Sequence, residues 1–179
     1  MFRAAAVILV SACVVLPAES LSAVAQKVIP RDHELAHAPV QLQFGPPGKH
    51  IIILHEPKGE TNFSGIVLAG GKQYELVGPQ EIPGHFEYQV ESVLAANAGR
   101  GPERELVVLY SYHRNGSTSD DGTACLVYHW DGKEFQVLKA VSAKLAGAKN
   151  AAEVRARLRT DYGSAKRFRL KSDSKGMEK

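Results

Sequence analysis

The chain has 179 residues, 44% of them hydrophobic, which is enough for one domain with its own core. Lys and Arg number 22 against 19 Asp and Glu, so the net charge is only +3 and a strongly charged, disordered chain is excluded. Two cysteines, Cys13 and Cys125, are too few for a disulfide framework.

Residues 1–25 read as a secretory signal. Arg3 gives the basic start, Ala4 to Leu16 the apolar stretch, and Ala23-Val24-Ala25 a small-x-small cleavage site. The expected mature chain begins at Gln26 and is periplasmic or secreted. It keeps one cysteine, Cys125, which sits in an apolar run and reads as a small buried hydrophobe. The apolar stretch is too short to span a bilayer, so no transmembrane segment is expected in the mature chain. Val10-Ser11-Ala12-Cys13 has the letters of a lipoprotein box, which makes lipidation at Cys13 the alternative.

Charge is unevenly spread. From Lys139 onward there are 12 Lys or Arg and 4 Asp or Glu, a net +8, whereas residues 26–138 carry a net −5. The basic end suits an anionic surface or simply a solvated helix and tail. A nucleic-acid role is not expected, because the basic residues lack interleaved aromatics.

Residues 26–39 are polar, hold two prolines, and are expected to be loosely held. They contain His33-Glu34-Leu35-Ala36-His37, an H-E-x-x-H match. On a helix, His33 and His37 share a face and bind zinc while Glu34 polarises water. Pro39 limits such a helix, and only Glu56, Glu60 or Glu81 could add a third ligand. A zinc hydrolase is therefore the alternative reading.

A short strand is expected at Val40–Phe44, then a buried strand over His50–His55 with a boundary or surface histidine at each end. Those two histidines face opposite ways, which works against a shared metal. Phe63–Ala69 and Gln73–Val77 form a predicted hairpin around Gly70-Gly71. In residues 86–90, Phe86, Tyr88 and Val90 alternate with polar residues, as a half-buried strand does. Leu106–Tyr110 is a short continuous apolar run, read as a strand buried on both faces. Cys125–Trp130 and Phe135–Leu138 are paired through Asp131-Gly132, read as a type I′ turn. Between Leu106–Tyr110 and Cys125–Trp130, Asn115–Gly122 reads as a polar loop. Its oxygen donors Asn115, Ser117, Ser119, Asp120 and Asp121 make calcium the alternative there, with Asn115, Asp120 and Asp121 as ligands. Two helices follow, Ser142–Ala148 and Asn150–Leu158. Asn150 is the expected N-cap, Val154 and Leu158 the buried stripe, and Arg155, Arg157 and Arg159 the wet face. Residues 161–179 read as a basic disordered tail.

Glu105-Leu106-Val107-Val108-Leu109, with Val127-Tyr128-His129-Trp130-Asp131-Gly132 and Phe135, resembles a blade of the FG-GAP or VCBS type of β-propeller repeat. The resemblance covers residues 86–138. More broadly, the chain is similar to small secreted bacterial proteins, some of which are periplasmic inhibitors or immunity proteins against lysozyme-like enzymes.

The expected fold is mainly β, with antiparallel strands and hairpins arranged as a propeller-like blade or a sandwich, and a short C-terminal helix. One β-rich domain covers residues 40–160. The expected function is binding of a protein partner, without catalysis and without a cofactor. The contacts are expected at Gly70, Gly71 and Lys72 and at Ser117, Ser119 and Asp120, because loops on a sheet scaffold can reach a partner's cleft.

Overall fold

The computed structural model describes residues 20–79, 86–98, 103–114 and 117–160, with the backbone alone at 117–120. The protein is mainly β, built from two antiparallel sheets. The first sheet holds β1 (His33–Leu35), β2 (Val40–Leu42), β3 (His50–Pro57), β4 (Ser64–Ala69) and β5 (Lys72–Leu76). β1 and β2 share one edge of β3, so the order is β1 or β2, β3, β4, β5. The second is a four-stranded meander of β6 (Phe86–Ala96), β7 (Glu105–Arg114), β8 (Ser117–Trp130) and β9 (Phe135–Val137).

The two sheets pack face to face. Ile52, Leu54, Val67 and Leu76 from the first meet Leu106, Val108, Tyr110 and Tyr128 from the second. The Tyr128 hydroxyl donates to the Val77 carbonyl at 2.8 Å and pins the sheets together. Alternation then dictates what the outer faces do. Val107, Leu109, Cys125 and Val127 point the other way and are covered by Leu145, Ala148, Val154 and Leu158. Leu145 and Ala148 lie in the turn after α2 (Lys139–Lys144), Val154 and Leu158 lie in α3 (residues 151–160), and half-buried Val141 of α2 packs against them. On the first sheet, Ile53 and Ile66 face outward and meet Ala25 of α1 (Leu21–Val28). The layers thus run α1, sheet, sheet, α2 with α3. β7 is buried on both faces, as its continuous apolar run requires.

Several local expectations differ from the structure. Residues 26–39 are not loosely held: they include the end of α1 and β1, which pairs with β3 through Glu34↔Glu56 and Leu35↔His55. The Ala23-Val24-Ala25 site lies within α1, and Ala25 is buried. His50 and His55 do face opposite ways, but both are buried rather than at a boundary or surface. Most of the expected Asn115–Gly122 loop is strand, since β8 begins at Ser117. The Asp131 turn is not the two-residue type I′ form. The Asp131 carboxylate instead accepts from the N–H groups of Lys133 and Glu134, both at 2.8 Å, and closes a four-residue loop. These two bonds hold the Asp131 carboxyl below the usual carboxylate range.

The last helix forms as its pattern dictates. Asn150 Oδ1 accepts from the Glu153 N–H at 3.0 Å, and Glu153 accepts from the Lys149 N–H at 3.0 Å, a capping arrangement. Val154 and Leu158 are buried. Arg157 is not simply wet, because it donates to the carbonyls of Ala146 and Gly147 and pairs with Glu153.

Candidate functional site: a cleft beside the β8 edge

The expected partner-contact residues fall at opposite ends of the sandwich. Gly70 and Gly71 make a two-residue turn with φ of 57° and 76°, both in the left-handed region that glycine accepts freely. Nothing lies within 4 Å of either glycine's Cβ position, so the turn is a bare finger, and Lys72 beside it is exposed. Tyr74 of the same hairpin packs on Trp130, the last residue of β8, with ring centroids 4.9 Å apart. Ser117, Ser119 and Asp120 lie at the first residues of β8. A strand of 14 residues spans roughly 40 Å, so one small partner cannot grip both groups at once. Of the expected calcium ligands, Asn115 and the Asp120 side chain lie outside the described residues. Asp121 pairs with His113 at 3.2 Å.

The H-E-x-x-H residues do not form a helix. His33 and Glu34 are on β1, and the chain bends after Leu35, so the shared helical face on which zinc binding depends is absent. His33 Nδ1 meets His55 Nδ1 at 2.8 Å, one ring donating and the other accepting. The His37 Nδ1–H donates to the Ala38 carbonyl at 2.7 Å. Glu34 lies directly opposite Glu56. Burial, and then the neighbouring His33, holds the His55 imidazole below the usual histidine range. Burial, and then Glu34, pushes the Glu56 carboxyl up. Among the described residues, no three His, Cys, Asp or Glu side chains converge as a metal site. Glu81, one of the candidate third ligands, lies outside them, as do residues 1–19 with Cys13, and the basic tail 161–179. No described helix is long and apolar enough to cross a membrane.

A cleft that the sequence did not announce lies where β9 stops short along β8. β9 pairs only with Tyr128 to Trp130. Past it, α2 and the turn at Gly147 take over the β8 edge. The Val127 carbonyl accepts from the Leu138 N–H at 2.8 Å, the Val127 N–H donates to Ser142 Oγ at 3.1 Å, and the Thr123 carbonyl accepts from the Gly147 N–H at 2.8 Å. Between these contacts the helix stands away from the strand and leaves a cavity of about 310 Å³. Its floor is Tyr110, Cys125 and Leu126, one wall is Ala143 with Lys139 at its end, and the other wall is Val77 to Pro79.

Each wall has a local cause. A Cβ on Gly78 would stand 1.7 Å from the Phe63 carbonyl oxygen, so only glycine lets the strand leaving β5 press against the start of β4. Val77, which follows the inward-facing Leu76, points outward and is 66% exposed at the cleft mouth. Small residues, Ala143 on α2 and Ala146 in the turn after it, keep the opposite wall low. Inside, burial pushes the Tyr110 hydroxyl up to about 12 and the Cys125 thiol up to about 11. The thiol is therefore protonated and a poor nucleophile at neutral pH, in keeping with the small buried hydrophobe expected of it. The apolar triplet around Gly78 and the alanines at 143 and 146 were visible as letters. Their convergence depends on where β9 ends, which no local pattern specifies.

No family model, no curated protein and no solved structure matches the chain.

Proposed function

We propose that this protein is an exported, non-enzymatic binding protein of the bacterial envelope, and that its partner is a cell-wall-degrading enzyme that it inhibits. The observation that carries this reading is the β4–β5 finger. Two bare glycines in a tight turn, with exposed Lys72 beside them, make a narrow, cationic tip on a rigid sheet. Such a tip suits the acidic substrate cleft of a muramidase, where charge attraction speeds encounter and main-chain atoms reach deep. The resemblance to secreted inhibitors supports the same reading, and the four-stranded meander of β6 to β9 is in keeping with a blade-like repeat.

The test is lysis of a cell-wall suspension by a muramidase, with and without this protein, together with size-exclusion chromatography of the mixture. The expected result is stoichiometric inhibition and a co-eluting complex, both weakened by Lys72→Glu and both indifferent to Glu34→Gln. Full lytic activity at tenfold excess, across several muramidase types, would sink the proposal. So would inhibition untouched by Lys72→Glu.

A further inference from the structure

We propose that the cleft beside β8 is a binding site for a small N-acylated apolar amino acid, a ligand that carries an amide, a carboxylate and an apolar body. This site is independent of the finger and of the inhibitor reading.

Three features specify the ligand. The first is the strand edge. On the open side of β8, the Thr123 carbonyl is taken by Gly147, and the Val127 carbonyl and N–H by Leu138 and Ser142. By the two-residue period of a strand, the N–H and C=O of Cys125 point the same way, between them and into the cleft. No described residue takes either group. Cys125 is 3% exposed, and a backbone donor and acceptor buried to that degree are almost always paired. A secondary amide satisfies both at once, as one residue of an added strand does. Because both neighbouring positions are occupied, the room is for a single amide and not for a long peptide.

The second feature is the apolar lining. Val77, Pro79, Tyr110, Leu126 and Ala143 offer hydrocarbon and ring surface on three sides. Val77 is exposed at the mouth, where an apolar ligand would cover it. A cavity of about 310 Å³ lies at the small end of the range for organic ligands. The third feature is the single charged group in the lining, Lys139, which is exposed at the end of the cleft. It fits a carboxylate left in water while the rest of the ligand is buried. Tyr110, kept as a protonated phenol by its burial, can donate a further hydrogen bond from the floor.

The experiment is an amide-resolved NMR titration of the whole protein with N-hexanoyl-leucine, using decanoate and the carboxamide of N-hexanoyl-leucine as comparison probes. The expected result is saturable binding, with the largest shifts at the amides of Cys125, Leu126 and Ala143. Decanoate, which lacks the amide, should bind about tenfold more weakly, the size of two lost neutral hydrogen bonds. Lys139→Ala, an exposed change that leaves the core intact, should weaken the acid severalfold and leave the carboxamide unchanged. Ala143→Phe should fill the cleft and abolish the shifts. No saturable shift at millimolar probe, or shifts centred away from Cys125, would overturn the site. Decanoate binding as tightly as N-hexanoyl-leucine would overturn the amide pairing, and equal loss of acid and carboxamide in Lys139→Ala would overturn the carboxylate contact.

Discussion

The second sheet and the β1 edge of the first show two ways of holding a strand. β6, β7 and β8 are long, pair along nearly their whole length and are packed on both faces around β7. β1 has three residues, pairs only with β3, and is fastened by a histidine pair and a shared hydrophobic layer under α1. The first arrangement rests mainly on buried area, with one buried titratable group: Glu105 at the start of β7 accepts from the Ala98 N–H at 2.6 Å and lies 3.6 Å from His129. The second sets His33 against His55 and Glu34 against Glu56, so its strength depends on protonation. Burial therefore supplies the cohesion of the sandwich, and titratable contacts set how firmly its N-terminal edge stays attached.

The largest effect that tests this contrast is a core truncation. Leu106→Ala on β7, at a position with 0% exposure, should cost about 2–5 kcal/mol in denaturant unfolding. Leu35→Ala on the half-buried β1 should cost less than half as much. Equal losses would mean that the edge belongs to the same cooperative unit as the second sheet. Next in size is His33→Ala, which leaves the His55 ring nitrogen without its partner and should cost about 1 kcal/mol. The loss should appear in hydrogen exchange at residues 33–35 and 54–57, and not at Val107 or Val127.

A pH series sharpens the comparison. His55 has its pKa lowered in the fold, so it contributes stability that is present above about pH 6.5 and is lost as pH falls through the lower folded value. Glu56 has its pKa raised, so its contribution has the opposite sign: present at low pH and lost as pH rises through the raised folded value. On acidification the His55 contribution falls while the Glu56 contribution grows, so the two oppose each other. Exchange at β1, corrected for intrinsic rate, should still quicken on acidification. In Glu34→Gln the opposing carboxylate contribution shrinks, and the acid loss should steepen. An acid response unchanged by both Glu34→Gln and His55→Gln would assign the effect elsewhere. The last predicted effect is at the far layer. Asn150→Ala removes the cap of α3 and should cost about 1 kcal/mol, with no change in the pH response of β1.

Legibility followed range. The Gly70-Gly71 hairpin was readable because positive φ at two successive residues is a local demand that two glycines meet. The last helix was readable because its cap and stripe lie within ten residues. The turn at Asp131 misled in form, because a side chain that caps two backbone N–H groups competes with the two-residue turn that Asp-Gly suggests. H-E-x-x-H suggested a helix, and the free edge of β3 made Leu35 more useful as a strand residue over the α1 layer. The expected contact residues at Gly70 to Lys72 were legible as an exposed turn, whereas their separation from Ser117, Ser119 and Asp120 was not.

The sequence alone was enough for the central strands β3 to β7, the apolar faces of β6 and β7, and the start of the last helix, because these depend on period and on neighbours a few residues away, whereas β1 and the first half of β8 escaped it. Only the tertiary structure decided that β1 and β2 share one edge of β3, and that β9 ends early and opens a cleft under α2. The physical reason is that edge positions are filled by whichever distant segment can pair and bury the most surface, and that choice is a property of the whole packed chain.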